Sequence, residues 1–280
     1  QGNLAAGYQF GYRIAILVAS SLALIIASNF SWTFAYKLMA LITGLNIIIT
    51  MIISAENKNL TLKKLNHIDT MIEPLKDFFE RFGLKMAAIL LLIIASYRLT
   101  DIVMGPMANP FYIDMGYTLS EIGYIVKVVA LISTIIGVFV GGILIKKFGL
   151  YKSLLIGAFL VMITNLLFSY TAITDKNLTL LASIVASDSL AAGIVGTVNI
   201  TFLTSLVSQK YTGFQYALLT SVMTFTGTIF KGFSGVIVES FQSLYGFNYG
   251  WMSFYIFTSC LALPAILLII SKKGFFVNSD

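Results

Sequence analysis

Long apolar runs separated by short polar turns set the pattern of this chain. Eight of them, at residues 5–28, 32–54, 86–107, 121–145, 151–171, 178–207, 216–238 and 251–270, match the membrane-spanning length, about 20 apolar residues for one helix. Within each run the apolar residues are continuous and do not alternate with polar ones. That pattern predicts helices; barrel strands would alternate, and lipid tolerates no other backbone arrangement. One sizeable polar stretch, residues 56–85, separates the second run from the third. Inside it Ile68, Met71, Ile72, Leu75, Phe78 and Phe79 recur at helical spacing, predicting an amphipathic helix near the membrane surface. Its basic residues are balanced by Glu56, Asp69, Glu73, Asp77 and Glu80, which suits a linker better than a catalytic domain.

Charge gives the runs an orientation. Lys58, Lys63, Lys64, Lys76, Arg81, Lys85, Lys146, Lys147, Lys152, Lys210, Lys272 and Lys273 fall in one set of alternating loops, and only Lys176 in the other. Twelve basic residues against one is a strong positive-inside bias, and it predicts that both termini face the cytoplasm. Composition agrees with a membrane protein: 58% of residues are hydrophobic and 11% charged, against about 45–50% and about 25% in soluble domains. The net charge of +6 does not point to nucleic acid, because that reading needs a basic patch on a soluble face. Cys260 has no second cysteine to pair with and His67 is the sole histidine, so the sequence predicts neither a disulfide nor a metal cluster. Cys260 is read as packing and His67 as a solvated linker residue.

A short glycine-flanked basic turn, Gly141-Gly142-Ile143-Leu144-Ile145-Lys146-Lys147-Phe148-Gly149, stands between the fourth and fifth runs. It resembles the loop signature of the major facilitator superfamily, which recurs after the second helix of each six-helix half. On that resemblance residues 86–280 form a complete second half, residues 55–85 the cytoplasmic linker, and residues 1–54 the last two helices of the first half. The chain then corresponds to helices five to twelve of an expected twelve. The absence of an initiator methionine at Gln1 fits four further helices upstream.

Other stretches carry a narrower likeness. These are Gly11-Tyr12-Arg13, residues 74–79 (PLKDFF), Tyr97-Arg98-Leu99-Thr100-Asp101, residues 121–127 (EIGYIVK), residues 188–193 (DSLAAG) and Gln215-Tyr216-Ala217-Leu218-Leu219. In their order and spacing they resemble the AmpG-type muropeptide permeases over essentially the whole chain. The resemblance implies proton-driven import of anhydro-muropeptides from periplasm to cytoplasm for cell-wall recycling, in the inner membrane of a bacterium. Two departures bear on substrate range: family members often have Glu at the position of Asp188 and Arg at that of Gly227. Lys231, one turn beyond Gly227, is a candidate to supply that charge.

Candidate chemistry lies with the polar residues inside the runs, because a charge near mid-membrane costs about 2.5–3.5 kcal/mol unless it faces a cavity or a partner. Asp101 follows Arg98 by three residues, on one helical face with Tyr97 beside them. The pair reads either as a proton-titrating site or as a static ion pair. Asp188 has no basic neighbour within a turn, which makes it the second candidate for proton coupling. Its face continues through Ala191, Ala192, Val195 and Asn199. The candidate substrate-cavity residues are Arg13, Arg98, Lys127, Lys231, Gln9, Tyr12, Tyr97 and Asn199. Arg13 lies roughly 12 Å into its span at about 1.5 Å per residue. Lys37 is shallower and reads as an interfacial anchor. Arg13, Arg98, Lys127 and Lys231 outnumber Asp101 and Asp188, so a shared cavity would suit an anionic cargo, with Tyr8, Tyr12, Tyr97 and Tyr124 available to stack on sugar rings. Gly137 and Gly141 are spaced for close helix packing, while Gly141, Gly142, Lys146, Lys147 and Gly149 form the conformational loop motif.

The leading expectation is therefore a monomeric secondary transporter, taking a muropeptide and protons as its small-molecule partners and the bilayer as its surroundings. No cofactor, metal or nucleic acid enters this reading. The alternatives are a carrier of another anionic metabolite such as acetyl-CoA, a truncated remnant that does not transport, and a membrane-embedded transferase. The last needs a cluster of His, Asp or Glu at a membrane face, which the sequence lacks, so the chain is not expected to be an enzyme.

Overall fold

The computed structural model describes residues 2–18, 26, 30–53 and 67–277, and every regular element among them is helical. The chain divides into two compact units, one formed by residues 8–70 and the other by residues 1–7 with 71–280. Helix α1 (Gly2–Leu17) and helix α2 (Trp32–Ile53) come first. The second half of the first predicted span and the linker positions Glu56, Lys58, Lys63 and Lys64 lie outside the described residues. Helix α2 keeps an apolar surface almost all round, with Tyr36, Leu41, Met51 and Ile52 all exposed. A helix apolar on every face belongs in lipid or deep in a bundle.

The amphipathic helix predicted in the linker is α3 (His67–Phe82). Its apolar face is turned largely onto protein: Phe78 is buried, and Phe79 and Phe82 pack on the same core. Only Met71 and Ile72 among its described apolar side chains are exposed. Gly83, at φ 72°, then turns the chain into the bundle.

The bundle contains α4 (Leu84–Tyr97), α5 (Leu99–Asp114), α6 (Leu119–Tyr124), a π-helical stretch (Ile125–Val129), α7 (Ala130–Thr171) and α8 (Leu178–Leu206). It continues with α9 (Thr212–Gly232), α10 (Ser234–Tyr245), α11 (Phe247–Cys260), α12 (Leu263–Ser271) and α13 (Lys273–Val277). Six helical segments among the described residues are long and apolar enough to span a membrane, and one of them, α7, has 42 residues. It is two predicted spans joined end to end, because Gly149 breaks it with φ 76° and ψ 170°. Only glycine adopts that backbone without strain, and the glycine at the end of the basic turn is thus what separates the fourth span from the fifth.

Three further spans are interrupted. The third breaks at Arg98, between α4 and α5. The seventh breaks at Phe233, and the eighth breaks before α12, where Pro264 stands in the first turn. Proline has no N–H and its ring clashes with the carbonyl one turn back, so α11 ends at Cys260. Beside the Phe233 break, Ser234 Oγ donates to the Val103 carbonyl of α5 at 2.8 Å.

Helices α7 and α8 make the most intimate pair, through glycine. A Cβ on Gly137 would collide with the Leu190 carbonyl oxygen, and one on Gly193 with the Thr134 carbonyl oxygen. Thr197 Oγ1 also donates to the Val138 carbonyl at 3.2 Å. The glycine stripe on this span is thus a packing surface, as its spacing suggested. Helix α11 packs on α7, α9 lies on α4 and α5, and α12 on α4 and α7.

Candidate functional site

Two apolar clusters fill the bundle. One gathers Ile93, Ile94, Tyr97, Leu154, Val161, Ala191, Val195, Ala262 and Ile266. The other gathers Met104, Phe111, Tyr112, Phe168, Ile184, Val185, Trp251, Phe254 and Tyr255. The polar residues sit at the seam between them. On α5, Asp101 falls between Tyr97 of the first cluster and Met104 of the second; on α8, Asp188 falls between Val185 and Ala191. On α7 the seam holds Thr164 and Asn165, between Val161 and Phe168; on α11 it holds Thr258 and Ser259, between Tyr255 and Ala262. Four helices therefore contribute polar side chains at one level of the bundle.

Hydrogen bonds knit this layer. Thr164 Oγ1 donates to Asp188 Oδ1 at 3.0 Å and Thr258 Oγ1 to Asn165 Oδ1 at 2.8 Å, while Ser259 Oγ donates to the Met162 carbonyl at 2.9 Å. The Arg98 guanidinium lies 3.7 Å from Asp101 Oδ2, with 28% and 16% of the two side chains exposed. Both are near the helix interruption, since Arg98 is the residue between α4 and α5 and Asp101 is in the first turn of α5. A carboxylate in a helix's first turn is favoured by the unpaired amides there. Tyr97 is held by donation to the Leu154 carbonyl at 3.2 Å. The two carboxylates are within electrostatic range of each other, and Asp188 is also felt by Tyr112 and Tyr255. Arg98 Nε, Asp101 Oδ2, the Thr100 hydroxyl and the Tyr255 hydroxyl are buried without a hydrogen-bond partner.

The structure thus brings together Tyr97, Arg98, Asp101 and Asp188 from the predicted set. It also adds Thr164, Asn165, Tyr112, Tyr255 and Thr258, which the sequence reading missed. The signal available for them was the Thr164-Asn165 pair inside an otherwise apolar run. Asn199 stands apart from this layer: it is buried, with Nδ2 3.4 Å from Met223 Sδ and Oδ1 unpartnered. Lys231, in the last turn of α9, is exposed, as are Lys146 and Lys147, while Gly141 and Gly142 are buried. Tyr12 on α1 is exposed. Gln9 and Arg13 lie on α1, Tyr124 ends α6 and Lys127 falls in the π-helical stretch. The side chains of these four, and of His67, are outside the described residues.

Beyond the bundle's interior, one end is fastened by polar contacts between loops. Thr118 and Glu121 form a reciprocal cap at the start of α6, and Lys176 Nζ lies 2.8 Å from Glu121 Oε2. Lys176 donation, followed by the Thr118 amide, holds the Glu121 carboxyl below its ordinary range. Tyr117 bridges the same loops, its hydroxyl donating to the Asn177 carbonyl at 3.2 Å. The Trp251 indole donates to Asp114 at 2.9 Å nearby in the fold, at the junction of α5 and α11.

The described residues are helical and carry paired charges inside apolar spans, a feature that marks ion and substrate pathways in membrane proteins. The sequence profile of the Major Facilitator Superfamily matches residues 1–231, and the chain belongs to that superfamily. Within it the likeness is to AmpG-type transporters. A transporter named AmpG 4 from Rickettsia conorii is 32% identical over 268 residues, covering 93% of this chain and 62% of the relative. Its namesake from Rickettsia felis is 33% identical over 274 residues, covering 94% and 63%. The anhydromuropeptide permease of Escherichia coli K12 is 30% identical over 273 residues, covering 96% of this chain and 53% of the permease. The chain therefore spans just under two thirds of the rickettsial relatives and about half of the permease.

Proposed function

We propose that this chain belongs to a proton-coupled importer of anhydro-muropeptides in the bacterial inner membrane, with both termini cytoplasmic. The observation that carries the reading is the polar seam. Asp101, Asp188 and Arg98 are its charged members among the described residues, and together they sum to one negative charge. Binding a single proton makes the set neutral. An uncharged cluster can be reoriented through an apolar interior at far lower cost than a charged one, which is what couples a proton to an alternating-access cycle. Asp101 and Asp188 are assigned as the proton-carrying residues. Arg98 and Tyr97 are assigned to the substrate-facing side, where a guanidinium pairs with a carboxylate through parallel hydrogen bonds. Muropeptides carry such carboxylates on their peptide stems, and the name of the Escherichia coli relative supports this cargo. In the same reading residues 86–280 form one transporter half, residues 55–85 a cytoplasmic linker, and Gly141 to Gly149 the loop that gates the cytoplasmic side.

The test is uptake of labelled anhydro-muropeptide by membrane vesicles containing the complete protein, with an imposed inward proton gradient. Accumulation should depend on the gradient and be competed by unlabelled muropeptide, not by acetyl-CoA. Competition by acetyl-CoA alone would replace the cargo while keeping the fold and the coupling.

A further inference from the structure

The most densely bonded side chain outside the polar seam is Gln215, fully buried in the first turn of α9. All of its hydrogen-bonding capacity is in use. Oε1 accepts from Arg81 Nη2 at 2.9 Å and from the Ser208 amide at 2.7 Å. Nε2 donates to the Pro74 carbonyl at 2.8 Å and to Asp77 Oδ2 at 2.9 Å. Arg81 completes the knot: Nε donates to Asp77 Oδ2 at 2.9 Å and Nη2 to the Leu206 carbonyl at 3.1 Å. Leu206 ends α8, so its carbonyl is one that the helix itself leaves without a partner. Tyr211, in the turn between α8 and α9, donates to Glu73 at 2.8 Å. Beneath the polar knot, Phe78 is buried in the same apolar cluster as Leu206, and Phe82 meets Phe275 with ring centroids 5.8 Å apart.

One amide thus ties helix α3 to both sides of the α8–α9 turn. The division of the chain into compact units agrees, because the boundary falls between Thr70 and Met71 and leaves every member of the knot in the bundle's unit. Releasing α3 would strip three of the four hydrogen bonds from a buried amide, leaving only the one from the Ser208 amide, and bare an aromatic face.

We propose that α3, from Met71 onward, is a fixed strut of the bundle that travels with α8 and α9 through the transport cycle, and that Gln215 is the positioning residue that holds it. This rests on the transporter reading for the cycle, and on the hydrogen-bond geometry for the attachment. A linker helix of this kind is not a free tether: it sets where the end of α8, the helix that carries Asp188, stands relative to α9.

The experiment uses the complete protein with Cys260→Ser and the pair Glu73→Cys and Tyr211→Cys, joined by a reducible bis-methanethiosulfonate reagent. Gradient-driven uptake should be undiminished by the cross-link. Uptake lost on cross-linking and restored by reductant overturns the strut, because α3 must then leave the turn during the cycle. Hydrogen exchange, read on the Cys260→Ser protein at rest and under the gradient, separates this from a failure of the transporter reading. Equal protection of residues 71–82 and 206–215 in both conditions, lost jointly in Gln215→Ala, supports the strut even where no uptake is found. Fast exchange of residues 71–82 alone, or unchanged protection in Gln215→Ala, overturns it.

Discussion

At the scale of single residues, the decisive fact is that Asp101 and Asp188 occupy one level of the bundle although 87 positions separate their numbers. Neither has a full set of partners: Asp101 has one guanidinium at 3.7 Å, and Asp188 has one hydroxyl at 3.0 Å. Replacing either by Asn removes the proton-binding group while keeping the shape. Asp101→Asn or Asp188→Asn should abolish gradient-driven uptake in vesicles with the protein still present in the membrane. Normal gradient-dependent uptake in both variants would sink the coupling assignment. A second residue-scale expectation concerns Glu121, half-buried and held below the usual carboxylate range by Lys176 and the Thr118 amide. A carboxyl whose folded value is depressed adds stability that is complete above its unfolded range and is lost as pH falls through the folded value. In detergent, the melting temperature should therefore drop on acidification below about pH 4.5, with part of that drop missing in Glu121→Gln. An identical acid profile for the two proteins would show that the Lys176 contact is fully screened.

Among elements, the α7–α8 pair shows how close two helices come when glycine removes the side chain. Gly137→Val sets a branched side chain against the Leu190 carbonyl, and overpacking of this kind costs about 1–3 kcal/mol. Its melting temperature should fall clearly. Gly105→Ala serves as the contrast, since a Cβ there meets nothing within 4 Å and alanine is the better helix former by about 1 kcal/mol. Equal melting temperatures for the two variants would contradict the close packing. The breaks at Arg98, Gly149, Phe233 and before Pro264 belong to this scale as well. Continuous apolar runs foretold long helices, and the two glycine and proline breaks have residues that explain them locally. Arg98 and Phe233 do not disrupt a helix by themselves, so those interruptions depend on the neighbours that surround them.

For the whole molecule, the loop charges make a prediction about sidedness. With Cys260→Ser as background, Lys146→Cys should react with a membrane-impermeant maleimide only from the cytoplasmic face, and Lys176→Cys only from the opposite one. Labelling of both from the same side would overturn the twelve-to-one reading of the basic loops. The two ends of the bundle differ in construction as well as in charge. One end is tied by the Gln215 knot and the packed Phe78, Phe82 and Phe275 rings, and the other by Glu121–Lys176, Tyr117–Asn177 and Asp114–Trp251. Between them lies the polar seam, with one apolar cluster on either side of it.

The membrane class, the helical build, the position of the basic turn and the Arg98–Asp101 pairing were all legible in the sequence. Each depends on neighbours within a few turns: run length, loop charge, a glycine beside lysines, a three-residue spacing. Where distant helices meet was not legible. The apolar pattern of a spanning helix carries little of the one-sided periodicity that marks the buried face of a soluble helix, because lipid and protein interior are equally apolar. Nothing local, therefore, marks Thr164 as the partner of Asp188, Asn165 as that of Thr258, or Gln215 as the anchor of α3. Those partnerships were decided by the tertiary packing, because a polar group taken out of water is costly until it finds a partner.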